Sequence, residues 1–352
     1  MFGATALAGK CPEQFFMTEI YPMEIERARQ VLTADAIFDL VREDLRKVEE
    51  AIGIESFTSV DTVTPISKYL QQNGGERLRA AVLLLCAQFG GGGNRVAIQL
   101  GAVVELLHAA ALVHDDVLDV EQSRRGWRSV NVQWANSTCV LAGDWLYLRA
   151  FRVALQERVL DLAISAAQMM VKGELIQINR IGCIGTTEAD CIELADHKTA
   201  SLFSACGKLG AVAAGVDTRE GEKLGEFAWN LGMAIHLIDD MQDFVSCESM
   251  PGKPGGCDFK DGKVTLPLVY ALEQASVSER NLVADILRDH SCDAGAFANV
   301  LALVHRYCGI QRTRARARQF ADRARQIVAE FPDSLCRRAL FMLTDLVTEC
   351  DC

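Results

Sequence analysis

Apolar residues recur at spacings of three and four along most of the chain, as in Ile37, Leu40, Val41 and Leu45 between charged positions. This is the period of an amphipathic α-helix, and strand-like alternation is nearly absent. The helical runs break at Asn73-Gly74-Gly75, at Gly90 to Gly93, around Gly182 to Thr187 and from Pro251 to Gly262. Ten or more helices result, with no repeat of fixed period. Val96–Leu118, Val140–Leu155 and Ala200–Ala214 are apolar on more than one face, which places them inside a bundle. The pattern predicts an all-α, single-domain bundle, since no Pro/Ser-rich linker divides the 352 residues.

Composition narrows the function. With 50% hydrophobic and 24% charged residues the chain is of ordinary globular type. A formal net charge of -11, from 36 Lys and Arg against 47 Asp and Glu, argues against a nucleic-acid binder that works by neutralising phosphates. The 13 cysteines are odd in number and form no C-x-x-C, so reduced thiols and a cytoplasmic location are expected rather than disulfides or zinc. Met1 to Lys10 has no basic segment before its small apolar residues, and the apolar stretch from Leu100 to Val120 carries Glu105, His108 and three Asp; neither a signal peptide nor a membrane span is expected. The run Arg312, Arg314, Arg316, Arg318, Arg323, Arg325 interleaves with Ala and Asp322 and reads as a solvated helix face.

The chemistry is concentrated in two aspartate clusters. His114-Asp115-Asp116-Val117-Leu118-Asp119 follows a strongly apolar helix, and on a helix Asp115 and Asp119 point the same way with Asp116 beside them. Three carboxylates at the end of a buried helix repel one another and lose hydration unless cations compensate. The same D-D-x-x-D spacing returns at Asp239, Asp240 and Asp243, read as the end of a second apolar helix that begins near Phe227. Oxygen-only ligands favour Mg2+, which binds a few carboxylates together with substrate phosphate, so a diphosphate substrate is implied.

Cations suited to a diphosphate lie nearby. Arg124-Arg125-Gly126 follows the first cluster, Lys198-Thr199 interrupts an apolar segment, and Lys253 and Lys263 flank a glycine-rich loop, Gly252 to Gly262, expected to close over a ligand. The segment Gly74 to Arg79 opens a helix whose amides and Arg79 suit a second anion. His108, seven residues before Asp115, lies on nearly the same helix face.

Taken in order, G-G-x-R-x-R from Gly74, His108 before H-D-D-x-x-D, R-R-G, G-D-W-L at Gly143 to Leu146, K-T-A at Lys198 to Ala200, the second D-D-x-x-D and G-K-x-T-L-P-L at Gly262 to Leu268 resemble the trans-isoprenyl diphosphate synthases. The resemblance implies a helical bundle around a deep cavity (the isoprenoid synthase fold), spanning residues 21–352 after an extension of residues 1–20, and acting as a homodimer. It implies Mg2+ held by Asp115, Asp119 and Asp239, with Asp243 completing the ligands and Asp116 and Asp240 in support. It assigns Arg124, Lys198, Thr199 and Lys253 to an allylic diphosphate, and Arg79, His108 and Arg125 to isopentenyl diphosphate. Asp115, Asp116, Asp119, Arg124, Lys198, Asp239 and Asp240 would then carry catalysis. Metal ions and cations stabilise the charge that develops as the allylic carbon–oxygen bond breaks, the alkene of isopentenyl diphosphate attacks the cation, and a proton is lost.

Residues four and five before Asp115, Ala111 and Ala110, lie one turn deeper than the metals, where a growing chain would pass. In the family large aromatics there stop elongation early. Two alanines imply products longer than fifteen carbons.

The chain departs from the family pattern in two places. Glu76 and Ala80 stand where Lys and Pro are usual, with Arg77 a candidate to replace the missing cation, and Ile235-His236 replaces Phe-Gln before the second cluster. These departures keep open a class I terpene cyclase or lyase on the same fold, and a non-catalytic diphosphate-binding subunit of a heteromer.

Overall fold

The computed structural model describes residues 34–57, 63–72, 77–90, 94–118, 123–124, 127–249, 256–288 and 294–349. The expected extension 1–20 lies outside them, as do Gly74, Gly75, Glu76, Asp119 and Lys253, and the side chains of Arg124 and Arg125. The described residues are almost wholly helical: α1 (Ala34–Asp39), α2 (Arg42–Ser56), α3 (Val63–Gln72), α4 (Leu78–Ala87), α5 (Arg95–Leu118), α6 (Val130–Gln133), α7 (Asn136–Gln156), α8 (Leu160–Arg180), α9 (Glu188–Ala195), α10 (Ser201–Ala214), α11 (Thr218–Ser249), α12 (Cys257–Lys260), α13 (Leu266–Gln274), α14 (Val277–Arg288), α15 (Ala294–Arg306), α16 (Gly309–Ala329) and α17 (Leu335–Glu349). A two-residue antiparallel ribbon, Ser123–Arg124 with Trp127–Arg128, is the exception.

The segments that are apolar all round form the centre. α5 packs on α7, α10 lies between α4 and α11, and α11 is backed by α16. Leu100, Val103, Val104, Leu106 and Leu107 of α5 are completely buried, which accounts for a helix without a polar face. By length and composition α5 could cross a membrane, yet most of its apolar window is covered by the bundle. Its start is fixed by Asn94, whose Oδ1 accepts the Ala97 N–H at 2.8 Å while its Nδ2 donates to the Ala213 carbonyl at 2.7 Å. One side chain thereby caps α5 and ties it to the end of α10.

Two expectations change. The second aspartate cluster is not at a helix end: α11 runs for 32 residues and passes the cluster, because Phe244, one residue beyond Asp243, is 1% exposed and gives the helix an apolar reason to continue. The loop expected from Gly252 to Gly262 is partly built structure. The Asp243 carboxylate accepts the N–H groups of Cys257 (3.0 Å) and Asp258 (3.2 Å) and so starts α12, and the Gly262 carbonyl accepts the Gly182 N–H at 2.8 Å. The arginine run lies on α16 as an ion-paired face, with Arg312 on Glu273, Arg316 on Glu188, Arg323 on Glu226 and Arg325 on Asp345. The described cysteines are all free thiols.

Candidate active site

The continuous helix from α9 to α10 is interrupted by a π-helical turn at Asp196–Ala200, the Asp-His-Lys-Thr-Ala segment. Such bulges insert a residue into the helical ladder and re-aim side chains, often at functional sites. Glycines make room on both sides. A Cβ on Gly173 of α8 would lie 2.9 Å from the Lys198 nitrogen, and one on Gly232 of α11 would lie 2.9 Å from the Ala200 Cα. The turn is therefore clamped between two helices at backbone contact.

From this turn two consecutive side chains serve the two aspartate clusters. The Lys198 ammonium lies 3.5 Å from Asp115 Oδ2 of the first cluster. It also pairs with Glu174 Oε1 at 2.7 Å and donates to Gln177 Oε1 at 3.2 Å. Thr199 Oγ1 shares a hydrogen bond of 2.8 Å with His236 Nδ1, and His236 Nε2 lies 3.7 Å from Asp240 Oδ1 of the second cluster. The clusters thus converge on adjacent residues of one π-helical turn, the first directly at Lys198 and the second through His236 at Thr199.

The carboxylates are not equivalent. Asp115 is 6% exposed and its Oδ1 is buried with no hydrogen-bond partner in the protein, an acceptor open to a cation, a water or a ligand donor. Asp116 is used structurally: its Oδ2 accepts the Val130 N–H at 2.7 Å and anchors the segment after the ribbon. On α11 Asp239 is exposed and shares a face with Asp243, while Asp240 is buried. Burial, together with Asp258, Asp239 and Asp243, holds the Asp240 carboxyl well above the usual carboxylate range, although the Leu266 N–H at the start of α13 bonds to it. Burial raises Glu174 as well. For Lys198, burial works against the ammonium, but Asp115 and Glu174 outweigh it and the pKa is raised. His236 is pushed down to about 4 by burial and by Lys198, so it is neutral at physiological pH.

Among the described residues no three His, Cys, Asp or Glu side chains form a ready-made metal cage. Carboxylate oxygens of the two clusters are the donor type that suits Mg2+, which is bound through one or two carboxylates plus substrate phosphates and keeps waters. Asp115 and Asp239 offer oxygen for it; Asp243 gives both of its oxygens to backbone amides here.

The remaining candidates are distributed around this centre. Arg79 stands in the first turn of α4 with its guanidinium 5.1 Å from the Phe203 ring centroid. His108 is partly buried on α5. Ala110 is completely buried and Ala111 partly so, one turn from Asp115. Lys263 pairs with Asp258 at 3.4 Å and Asp261 at 3.1 Å. Arg77, the candidate substitute for a lysine at residue 76, is engaged elsewhere: it adopts φ 52° before α4 and pairs with Glu49 and with Glu105, 3% exposed, at 3.4 Å. Glu105 in turn accepts the Ala80 N–H at 3.0 Å, a bond that Pro could not make. Ala80, standing where Pro is usual, thus supplies the donor that a buried carboxylate needs.

The motif glycines have packing reasons. The His114 ring lies directly on Gly143, where any Cβ would collide with it, and His114 Nε2 meets the Val140 carbonyl at 3.0 Å. Gly262 has φ +81°, a left-handed conformation that costs other residues energy. The sequence reading missed Glu174 and Gln177. Their signal is positional: Ala163, Ala166, Ala167, Met170 and Gly173 form the buried stripe of α8, and the two polar residues continue it.

The polyprenyl synthetase family model matches residues 60–304. Octaprenyl diphosphate synthase of Haemophilus influenzae is 29% identical over 91% of this chain and 98% of its own, and nonaprenyl diphosphate synthase of Mycobacterium tuberculosis is 34% identical over 88% and 94%. Among solved structures, a decaprenyl diphosphate synthase from Rhodobacter capsulatus superposes with a TM-score of 0.85 at 30% identity, covering 90% of this chain and 98% of its own. A polyprenyl synthase from Caulobacter crescentus, complexed with calcium and isoprenyl diphosphate, also gives 0.85 at 31% identity, over 91% and 98%. The chain belongs to the polyprenyl synthetase family and has the all-α fold of isoprenyl diphosphate synthases. It is a trans-polyprenyl diphosphate synthase, a prenyltransferase that condenses an allylic diphosphate with isopentenyl diphosphate.

Proposed function

We propose that this synthase makes long all-trans polyprenyl diphosphates, in the cytoplasm and as a homodimer, with Mg2+ and the two aspartate clusters gripping the allylic diphosphate. The observation that carries the reading is the convergence of Asp115 and Asp240 on adjacent residues, Lys198 and Thr199, of one turn. Mg2+ bound with the substrate would neutralise the diphosphate oxygens and favour its departure. Lys198 supplies a fixed positive charge at the same place, aimed before the substrate arrives, and this preorganisation is what lowers the barrier in a water-poor site. Thr199 adds a hydroxyl whose orientation His236 fixes. Arg124 and Lys253 complete the allylic diphosphate contacts, and Arg79, His108 and Arg125 take isopentenyl diphosphate. The apolar surroundings of α5 protect the allylic cation from water.

Ala111 and Ala110 support a product longer than fifteen carbons, because each added unit buries several CH2 groups at roughly 0.8 kcal/mol apiece while α5 itself carries alanines, not large side chains, one turn below Asp115. An exposed apolar ladder supports the homodimer. Leu141, Leu148 and Leu155 recur every seven residues on α7 at 66%, 63% and 61% exposure, and Val171, Leu175 and Ile178 of α8 are exposed as well.

Purified protein incubated with Mg2+, geranyl or farnesyl diphosphate and labelled isopentenyl diphosphate tests the reading. Label entering prenyl diphosphates longer than fifteen carbons supports it; conversion of the allylic substrate alone to a hydrocarbon or alcohol, or activity only with a second protein, refutes it.

A further inference from the structure

The Lys198 ammonium faces three side chains: both oxygens of Glu174 at 2.7 and 3.0 Å, Gln177 Oε1 at 3.2 Å and Asp115 Oδ2 at 3.5 Å. Only the first is both short and charged. An incoming diphosphate must take a donor from this set, and the neutral amide and the distant Asp115 release theirs most easily. Glu174 keeps its own. It is well placed to do so, because Gly173 beside it lies against the Lys198 backbone, so that α8 holds both ends of the lysine. Without that anchor the flexible side chain has one strong partner left, Asp115, and pairing there would both withdraw the ammonium from the ligand and occupy that carboxylate.

We propose that Glu174 is a positioning residue for the allylic diphosphate, holding the Lys198 ammonium between the first aspartate cluster and the incoming phosphate while Gln177 serves as the releasable contact. The inference rests on the reading that Lys198 meets the allylic diphosphate. It concerns one substrate only, because Lys198, the group that Glu174 holds, is assigned to the allylic diphosphate and not to isopentenyl diphosphate.

Steady-state kinetics with each substrate varied in turn tests this, using Lys198→Met, Glu174→Gln and the exchange Glu174→Gln/Gln177→Glu, which moves the carboxylate to the neighbour already in contact with Lys198. Glu174→Gln is expected to raise the allylic KM about tenfold, a loss of one well-placed charged contact, with the isopentenyl KM within about twofold and the melting temperature retained. The exchange is expected to restore most of the allylic KM. An unchanged or lowered allylic KM in Glu174→Gln overturns the proposal, the lowered value meaning that Glu174 acts only by repelling phosphate. An equal rise in both KM values, or no recovery in the exchange, also overturns it. If Lys198→Met leaves the allylic KM unmoved, the underlying assignment of Lys198 fails instead.

Discussion

Gly173 of α8 and Lys198 of the π-helical turn meet at backbone contact: a methyl group on the glycine would lie 2.9 Å from the lysine nitrogen and 3.1 Å from its Cα. Neither partner is the far end of a flexible side chain, so Gly173→Ala must displace the turn or α8. We expect a stability cost of about 1–3 kcal/mol, as for overpacking elsewhere. The catalytic loss should be larger, on the order of a hundredfold in kcat/KM, because a shift of about 1 Å misplaces Lys198 and Thr199 together. Thermal unfolding and kinetics on one preparation measure both; equal activity would show that the clamp is not needed for catalysis.

His236 makes stability depend on pH. Its pKa falls from 6.5 to about 4 on folding, so as pH drops below 6.5 the unfolded chain takes up a proton that the folded chain refuses. Stability is lost between pH 6.5 and about 4, up to about 3 kcal/mol for a group held this far from water. Asp240, shifted upward, opposes this, and a comparison with His236→Gln removes the shared contribution to first order. Urea unfolding of the two proteins at pH 7.5 and 4.5 should show the wild type losing more; parallel losses would reject the assignment.

Ala111→Phe should shorten the products by several isoprene units with little loss of stability, since Ala111 is only partly buried. Ala110→Phe is different: the site is completely buried, and the added ring should destabilise by about 1–3 kcal/mol or more. Product chromatography alongside melting curves separates the two effects, and unchanged lengths in Ala111→Phe would remove that residue from the chain's path.

Arg77→Ala should act on folding rather than on substrate. It leaves Glu105, 3% exposed, without its cation, which typically costs about 3–5 kcal/mol when a buried pair is broken. A variant that melts like the wild type while its isopentenyl KM rises would place Arg77 in the site after all.

Leu148→Glu puts a charge in the middle of the exposed ladder of α7. If that ladder joins two copies, sedimentation should show a monomer where the wild type is a dimer; an unchanged mass would move the interface elsewhere.

Much of the fold was legible because buried helices leave a plain record. The all-round apolar stretches Val96–Leu118, Val140–Leu155 and Ala200–Ala214 are the central helices, with ends within a few residues of α5, α7 and α10. The end of α11 was misread at Asp243, since three carboxylates look like a helix terminus when the burial of Phe244 beyond them cannot be seen. The D-D-x-x-D repeats, Lys198-Thr199 and the motif glycines identified the chemistry by residue type and spacing, which are properties of the chain itself.

Partnerships belong to the folded molecule. That Lys198 reaches Asp115 and Glu174 while Thr199 reaches His236, that Asp243 caps α12, and that Ala80 supplies an N–H to Glu105 all join residues 14 to 83 positions apart. Local pattern decides which residues are polar and which way a helix turns, because those are nearest-neighbour effects. Which polar groups then share a site depends on helices meeting at backbone contact, and only the packed structure sets those distances.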